Sequence, residues 1–264
     1  MHKIIRLFRI LFENLFINYK KYDKDFKLET NDTLVSFNIR ADHPRDNKTN
    51  WINRRNAIID FIKDKKPSII CMQEVHRHMF IWLYKKLFNT YNFVEVLRGR
   101  VDRSILKSFN WFKDALVIWY DKNKYTLLDY KVINAIGGKA LWCRLKSKSG
   151  IVYNIIDTHY SVDNQTNRQN TTNAVNMFIS ENNLTNVYFA GDFNSGCHSS
   201  ELKSINLLHR IPLDEETQRT FNHFDDTWAI IDFIFSDRKM DYEICTKDYG
   251  VPYISDHYPI IINL

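Results

Sequence analysis

The sequence predicts a mixed α/β or α+β domain, its β-sheets covered on the outside by helices. Three observations carry this. From residue 34 onward, short apolar runs alternate with stretches whose apolar residues recur at helical spacing. Neighbouring runs are in places separated only by turn-type residues, the mark of a hairpin. The third is the absence of a linker: with 7 glycines and 5 prolines in 264 residues, no flexible stretch divides residues 34–264. No internal repeat or low-complexity tract is visible either.

Taken in order, residues 1–33 form an N-terminal extension. Ile4, Leu7, Phe8, Leu11 and Leu15 fall near helical spacing, with Lys3, Arg6 and Arg9 between them. The apolar run is too short to span a bilayer and lacks a signal-peptide core. It suits a basic amphipathic helix, lying on a membrane surface or packed on the domain. "TLVSFNIR" then reads as a strand. Residues 50–66 carry Trp51, Ile52, Arg55, Ile58, Ile59 and Ile62 as a helical stripe, stopped by Pro67. "SIICMQEV" is a buried strand, "HRHMFIWLYKKLF" a helix, and "YNFVEV" a strand. "DALVIWY" and "KYTLLDYKVI" read as a strand pair turning at 121–124. Residues 140–160 read as a hairpin turning near Ser149 and Gly150. "NRQNTTNAVNMFISENN" is a helix and 187–190 a buried strand. "ELKSINLLHR" is a short helix, and "WAIIDFIFSD" and "YISDHYPIIINL" are the closing strands.

A formal net charge of +6 favours an anionic partner: nucleic acid, a phosphorylated ligand or an anionic membrane surface. The four cysteines, Cys71, Cys143, Cys197 and Cys245, are far apart, with no CxxC pair to suggest zinc. They point to a reducing, cytoplasmic setting rather than a disulfide framework.

The informative residues are polar ones set in or at the ends of apolar runs. Asn38 alternates with Phe37 and Ile39. Glu74 ends "SIICMQE", His159 ends "VYNIIDTH", and Asp192 and Asn194 end "VYFAGDFN". Asp232 stands inside "WAIIDFIF", and Asp256 and His257 lie in "YISDHYP". Singly, each has an ordinary explanation, since Asp and Asn at strand ends cap turns. Asn38 and Asp232 are harder to dismiss, because a buried amide or carboxylate needs a partner. Strand ends of one sheet edge converge in space. Carboxylates and carboxamides so gathered suit Mg²⁺ or Mn²⁺, leaving the histidines for acid–base or phosphate-binding work. No nucleophilic serine elbow or Walker-type loop competes.

In that order, "SFNIR", "QE", "DTH", "GDFNS", "IDFIF" and "SDHYP" resemble the endonuclease/exonuclease/phosphatase superfamily, which includes DNase I-like nucleases, deadenylases, inositol polyphosphate phosphatases and neutral sphingomyelinases. "RTFNHF" at 219–224 resembles a segment of one of its branches. The resemblance covers about residues 34–264, the catalytic domain. It implies a four-layer α/β sandwich, two mixed sheets face to face with helices outside. It also implies that Glu74 is the principal Mg²⁺ ligand, with Asn38 and Asp256 completing the metal site. Asp192 would orient or deprotonate the attacking water, and Asn194 would help hold the water or the phosphate. His257, held by Asp232, and His159 would bind phosphoryl oxygens. Cys197 stands where many relatives carry Pro.

The substrate is read from weaker signals. Arg98, Arg100, Arg103 and Lys107, with Phe109 and Trp111 nearby, suit a groove that follows a nucleic-acid backbone, though a solvated loop would look the same. The leading expectation is therefore a Mg²⁺-dependent nuclease with Arg98 and Arg100 on the substrate. The alternatives are a phosphatase or phosphodiesterase of inositol phosphates or phospholipids, with the N-terminal helix at a membrane, and an inactive binding module.

Overall fold

The computed structural model describes residues 27–97, 113–207, 209–225 and 227–264. The helix expected at the N-terminus, and Arg98, Arg100, Arg103 and Lys107, lie outside these residues. The last residues assigned to the extension already hold on to the domain: the Leu28 N–H donates to Thr90 Oγ1 at 3.0 Å, and Thr30 Oγ1 to Asp121 at 2.6 Å.

Twelve strands form two six-stranded mixed sheets among the described residues. The first sheet contains β1 (Thr33–Asn38), β2 (Ile69–Val75), β3 (Tyr91–Leu97), β4 (Ala115–Asp121), β11 (Tyr242–Ile244) and β12 (Ile260–Asn263). Their order is β11-β12-β1-β2-β4-β3. The second contains β5 (Tyr125–Ala135), β6 (Gly138–Ser147), β7 (Val152–His159), β8 (Val187–Asp192), β9 (His209–Arg210) and β10 (Asp232–Ser236), ordered β5-β6-β7-β8-β10-β9. Each sheet has one parallel pair joined by a helical crossover, β1 to β2 and β7 to β8.

The helices are α1 (Trp51–Lys65), α2 (Arg77–Leu87), α3 (Gln165–Glu181) and a single turn, α4 (Ser200–Lys203). Asn50 caps α1, its side chain accepting the Asn53 N–H at 3.3 Å, and Lys66 in the left-handed region ends it before Pro67. Asn164 caps α3 in the same way at 2.9 Å. The Asn- and Thr-rich sequence of α3 has weak helical propensity, so packing holds it in place. Val175 and Phe178 are buried, and the Phe178 ring meets Trp142 edge-on at 5.1 Å.

Three apolar clusters define the layers. Leu34, Ile69, Cys71, Ile118, Cys143, Ile155, Tyr188 and Ile260 fill the space between the sheets. Phe37, Ile58, Phe61, Met79 and Leu83 join α1 and α2 to the outer face of the first sheet. Ile156, Val175, Phe178, Phe189 and Phe193 do the same for α3 on the second. The result is a four-layer sandwich, as expected. One polar bridge crosses the apolar middle: Gln73 Nε2 donates to Asp157 Oδ1 at 2.6 Å, both residues fully buried.

The structure corrects several local expectations. The runs before and after 121–124 are not a pair. β4 already has β2 and β3 on its two sides, so the chain crosses there to the second sheet, where β5 pairs with β6. The helix expected over 201–210 is one turn only, and its end becomes β9. The last strand is confined to Ile260–Asn263, which leaves Asp256 and His257 on a loop. Asp232 is the first residue of its strand. On α1, Arg54 rather than Arg55 turns inward, and the Arg55 guanidinium lies over the Trp82 ring.

Gly191 explains why the buried strand β8 ends in "GDFN". Its φ is +150°, and a Cβ there would collide with the Thr158 carbonyl of the parallel strand β7. Gly191→Ala is therefore expected to destabilise the domain by about 3 kcal/mol or more. The check is a lower urea midpoint at unchanged slope.

Candidate active site

Strand register assembles the site. His159 ends β7 opposite Asp192, which ends β8, and Asp192 faces Asp232 at the start of β10. On the first sheet Asn38 ends β1 opposite Gln73. The next residue, Glu74, takes a left-handed φ of +61° at a register shift between β2 and β4. A side chain in that conformation is costly and sits where the surroundings enforce it. The shift turns the carboxylate out of the ladder and toward β1.

Asp192 stands at the centre. Its Oδ2 accepts Asn38 Nδ2 at 2.9 Å, and its Oδ1 accepts the Asn194 N–H at 2.8 Å. His159 Nε2 and His257 Nε2 approach Oδ2 from two sides, at 3.6 and 3.7 Å. Asn38 Nδ2 also reaches Glu74 Oε1 at 3.2 Å, and Glu74 Oε2 accepts the Ala41 N–H at 2.7 Å. His257 Nδ1 lies 2.9 Å from Asp232 Oδ2, which fixes the ring with Nε2 toward Asp192. Asp256 Oδ1 is 3.9 Å from His257 Nε2. Ser255 Oγ donates to the Asn38 carbonyl at 2.7 Å, joining the Asp256 loop to β1.

Of the residues singled out in the sequence, Asn38, Glu74, His159, Asp192, Asp232, Asp256 and His257 come together. Asn194 sits at the edge, its Nδ2 donating to the Tyr160 carbonyl at 3.0 Å. Arg98 and Arg100 lie outside the described residues. The structure adds Arg40, whose Nη1 is 3.2 Å from Asp256 Oδ2 and whose Nε and Nη2 bind Asp46 at 3.2 and 3.1 Å. Its place two residues after Asn38 was the available signal. The site opens at Glu74 and Arg40, whose side chains are 16% and 27% exposed, against 2% for Asp192.

Burial and charge set the proton affinities. Burial drives the Asp192 carboxyl up to about 7, with nearby Asp232 adding to the rise and His257 opposing it. Burial alone would lower His257, but Asp232 and then Asp192 outweigh it and lift the imidazole to about 10. Burial also raises Asp256, against the pull of His257 and Arg40. Glu74 stays below its usual value despite burial, held by the Ala41 N–H, His257 and Asn38.

Four carboxylates thus face two cations, His257 and Arg40, a balance that favours a bound divalent cation. The tightest three-donor group among the described residues is Asp192, Asp232 and His257, with donor atoms within 4.8 Å of one another. Two of its members, Asp232 and His257, are already bonded to each other, so this trio forms an oriented imidazole beside a buried carboxyl rather than a closed ligand cage. Glu74 and Asp256 offer hard oxygen donors, the kind Mg²⁺ and Mn²⁺ take, and beside them the buried Asn38 has its Oδ1 accepting the Arg40 N–H at 3.0 Å, with one lone pair left over.

A family model described as the endonuclease/exonuclease/phosphatase family matches residues 35–257. The chain belongs to that family. The enzymes of the endonuclease/exonuclease/phosphatase family hydrolyse phosphoester bonds, in general with a divalent metal. Solved structures share the fold. An endonuclease/exonuclease/phosphatase from Bacteroides vulgatus is 24% identical, aligned over 87% of this chain and 97% of its own, with a TM-score of 0.71. A mannosyl-6-phosphatase from Bacteroides thetaiotaomicron is 19% identical over 87% and 98%, at 0.74. The human Nocturnin catalytic domain, solved with bound sulfate, is 18% identical over 87% and 92%, at 0.66. No curated protein matches the chain by sequence. Among the described residues, no helix is long and apolar enough to cross a membrane.

Proposed function

We propose that this phosphoesterase hydrolyses a phosphodiester, with nucleic acid as its substrate, by in-line attack of a water activated at Asp192. The observation that carries the mechanism is the setting of Asp192, with Asn38 at 2.9 Å and two imidazole nitrogens at 3.6 and 3.7 Å. A carboxyl with its value near 7 can take a proton from water at neutral pH. Asn38 fixes the direction of that carboxylate. His257, kept charged by Asp232, offers its Nε2–H to a phosphoryl oxygen, and His159 offers a second donor where charge develops. Asn194 holds the loop that follows Asp192.

Glu74, Asn38 and Asp256 would hold Mg²⁺ or Mn²⁺. When bound, the cation supplies charge neutralisation on the phosphoryl and leaving oxygens. The nuclease reading is supported by the net charge of +6 and by the basic run over 98–107. One observation favours a second reading, a phosphatase of small phosphomonoesters: the Arg40 guanidinium stands at the open mouth, where a terminal phosphate carries more charge than a diester.

The test is a panel of plasmid DNA, RNA, inositol phosphates, p-nitrophenyl phosphate and sphingomyelin vesicles, each with Mg²⁺ and with EDTA. Cleavage of DNA or RNA that EDTA abolishes is the expected result. Hydrolysis of only the monoesters or the lipid overturns the nuclease reading. Activity undiminished by EDTA overturns the metal assignment.

A further inference from the structure

The two crossover helices begin alike. Asn50-x-x-Asn53-Arg54 opens α1 and Asn164-x-x-Asn167-Arg168 opens α3, a correspondence too short to stand out as a repeat in the sequence. Each Asn caps its helix, and each Arg is the fourth helical residue. Both arginines turn toward the loops that carry the site.

Arg54 is 1% exposed. Its Nη1 donates to the carbonyls of Ile39 at 2.9 Å and Ile254 at 2.8 Å, its Nη2 to that of Arg40 at 3.1 Å, and its Nε to that of Thr49. Ile39 and Arg40 follow Asn38, and Ile254 precedes Ser255 and Asp256. The clamped segment continues to Ala41, whose N–H holds Glu74. One planar guanidinium thereby sets the spacing of the three residues read above as cation ligands.

Arg168 does the corresponding work on the second sheet. Its Nη1 donates to the carbonyls of Ser161 at 3.2 Å and Val162 at 3.1 Å, in the loop leaving His159. Its Nε donates to Glu201 Oε1 at 2.6 Å. That carboxylate is fully buried and also accepts Ser195 Oγ at 2.6 Å, in the loop leaving Asp192 and Asn194. These loops carry the base and one phosphate-binding histidine, and none of the proposed cation ligands.

We propose that Arg54 and Arg168 are positioning residues with separate duties: Arg54 sets the affinity for the divalent cation, and Arg168 sets the rate of the hydrolytic step. Partners behind metal ligands and catalytic groups typically matter about tenfold to a hundredfold. The inference rests on the reading of Glu74, Asn38 and Asp256 as cation ligands and of Asp192 as base.

Arg54→Lys and Arg168→Lys in the full chain test it, because lysine keeps a nitrogen donor on a stem of similar length and loses the fork that reaches several carbonyls at once. Mn²⁺ binding is followed by electron paramagnetic resonance. Turnover is followed at saturating Mn²⁺ with bis(p-nitrophenyl) phosphate. Arg54→Lys is expected to raise the Mn²⁺ dissociation constant about tenfold or more, with kcat within about threefold of wild type. Arg168→Lys is expected to lower kcat about tenfold or more, with Mn²⁺ affinity within about threefold. If both variants move both quantities together, or neither moves either, the division is overturned. A wild type that binds no Mn²⁺ and cleaves nothing overturns the underlying functional reading instead. A measurement on the wild type alone covers the case of a variant that does not fold. Mn²⁺ is expected to slow amide hydrogen exchange at 39–41 and 254–256 and to leave 161–162 and 195 unchanged. The opposite pattern overturns the proposal.

Discussion

Asp192→Asn is expected to lower kcat about 10²- to 10⁴-fold, the contribution of a positioned general base, while the domain stays folded. The size of the loss follows from the setting. Asp192 has one oxygen on the Asn194 N–H and the other on Asn38 Nδ2. An asparagine can match one of these donors with its carbonyl but must then turn its NH₂ toward the other. It also lacks the basic lone pair that takes the proton from water. The fold tolerates the change because burial already disfavours the negative charge at this position. The measurement is single-turnover hydrolysis beside a Mn²⁺ titration. A variant with wild-type kcat would remove Asp192 from the mechanism. A lost rate that came with lost cation binding would make it a ligand instead.

The second large effect is expected at Asp232. In the wild type, kcat/KM should follow a bell, with an acid limb set by the Asp192 carboxyl and an alkaline limb by the His257 imidazolium. The limbs belong to the coupled pair rather than to either side chain alone. The values near 7 and 10 place the bell for the cation-free site, and a bound cation draws the acid limb lower. Asp232→Asn removes the strongest attraction holding the His257 proton. The alkaline limb should then move from about 10 toward the ordinary 6.5, and kcat should fall about 10²- to 10³-fold as a charged donor to the phosphoryl group is lost. The sign for folding is the same. Stability from a raised imidazole is fully present below 6.5 and lost as pH rises through about 10. The variant should therefore lose most stability relative to wild type at pH 5, less at pH 8, and almost none once pH passes about 10. A urea midpoint unchanged at pH 5, or an alkaline limb that does not move, would contradict the His257–Asp232 account.

Much of the site was legible because its members break local rules. Asn38 and Asp232 are polar in runs that otherwise face the core, and a pattern broken at a cost implies a partner. What it cannot show is which partner, and only the fold brings Asp232 to His257 and Asn38 to Asp192. The misses share one cause. Pairing at 121–124 was inferred from nearness in sequence, whereas β4 was already occupied on both sides by strands from elsewhere. The stripe on α1 named Arg55, since an arginine that turns inward to bind carbonyls looks like any exposed one until the loops it holds are in view. The left-handed backbone of Glu74 has no signature in a residue type that ordinarily avoids it.

The buried amide–carboxylate bridge between Gln73 and Asp157 has a wider meaning. Each of these residues lies next to or near a residue of the candidate site, Glu74 in one layer and His159 in the other, and neither layer contains a whole set. Competence is thus a property of the closed seam, and the bridge acts as a dowel against sliding: a slip of one residue, about 3.3 Å along a strand, would leave both polar groups stranded in hydrocarbon.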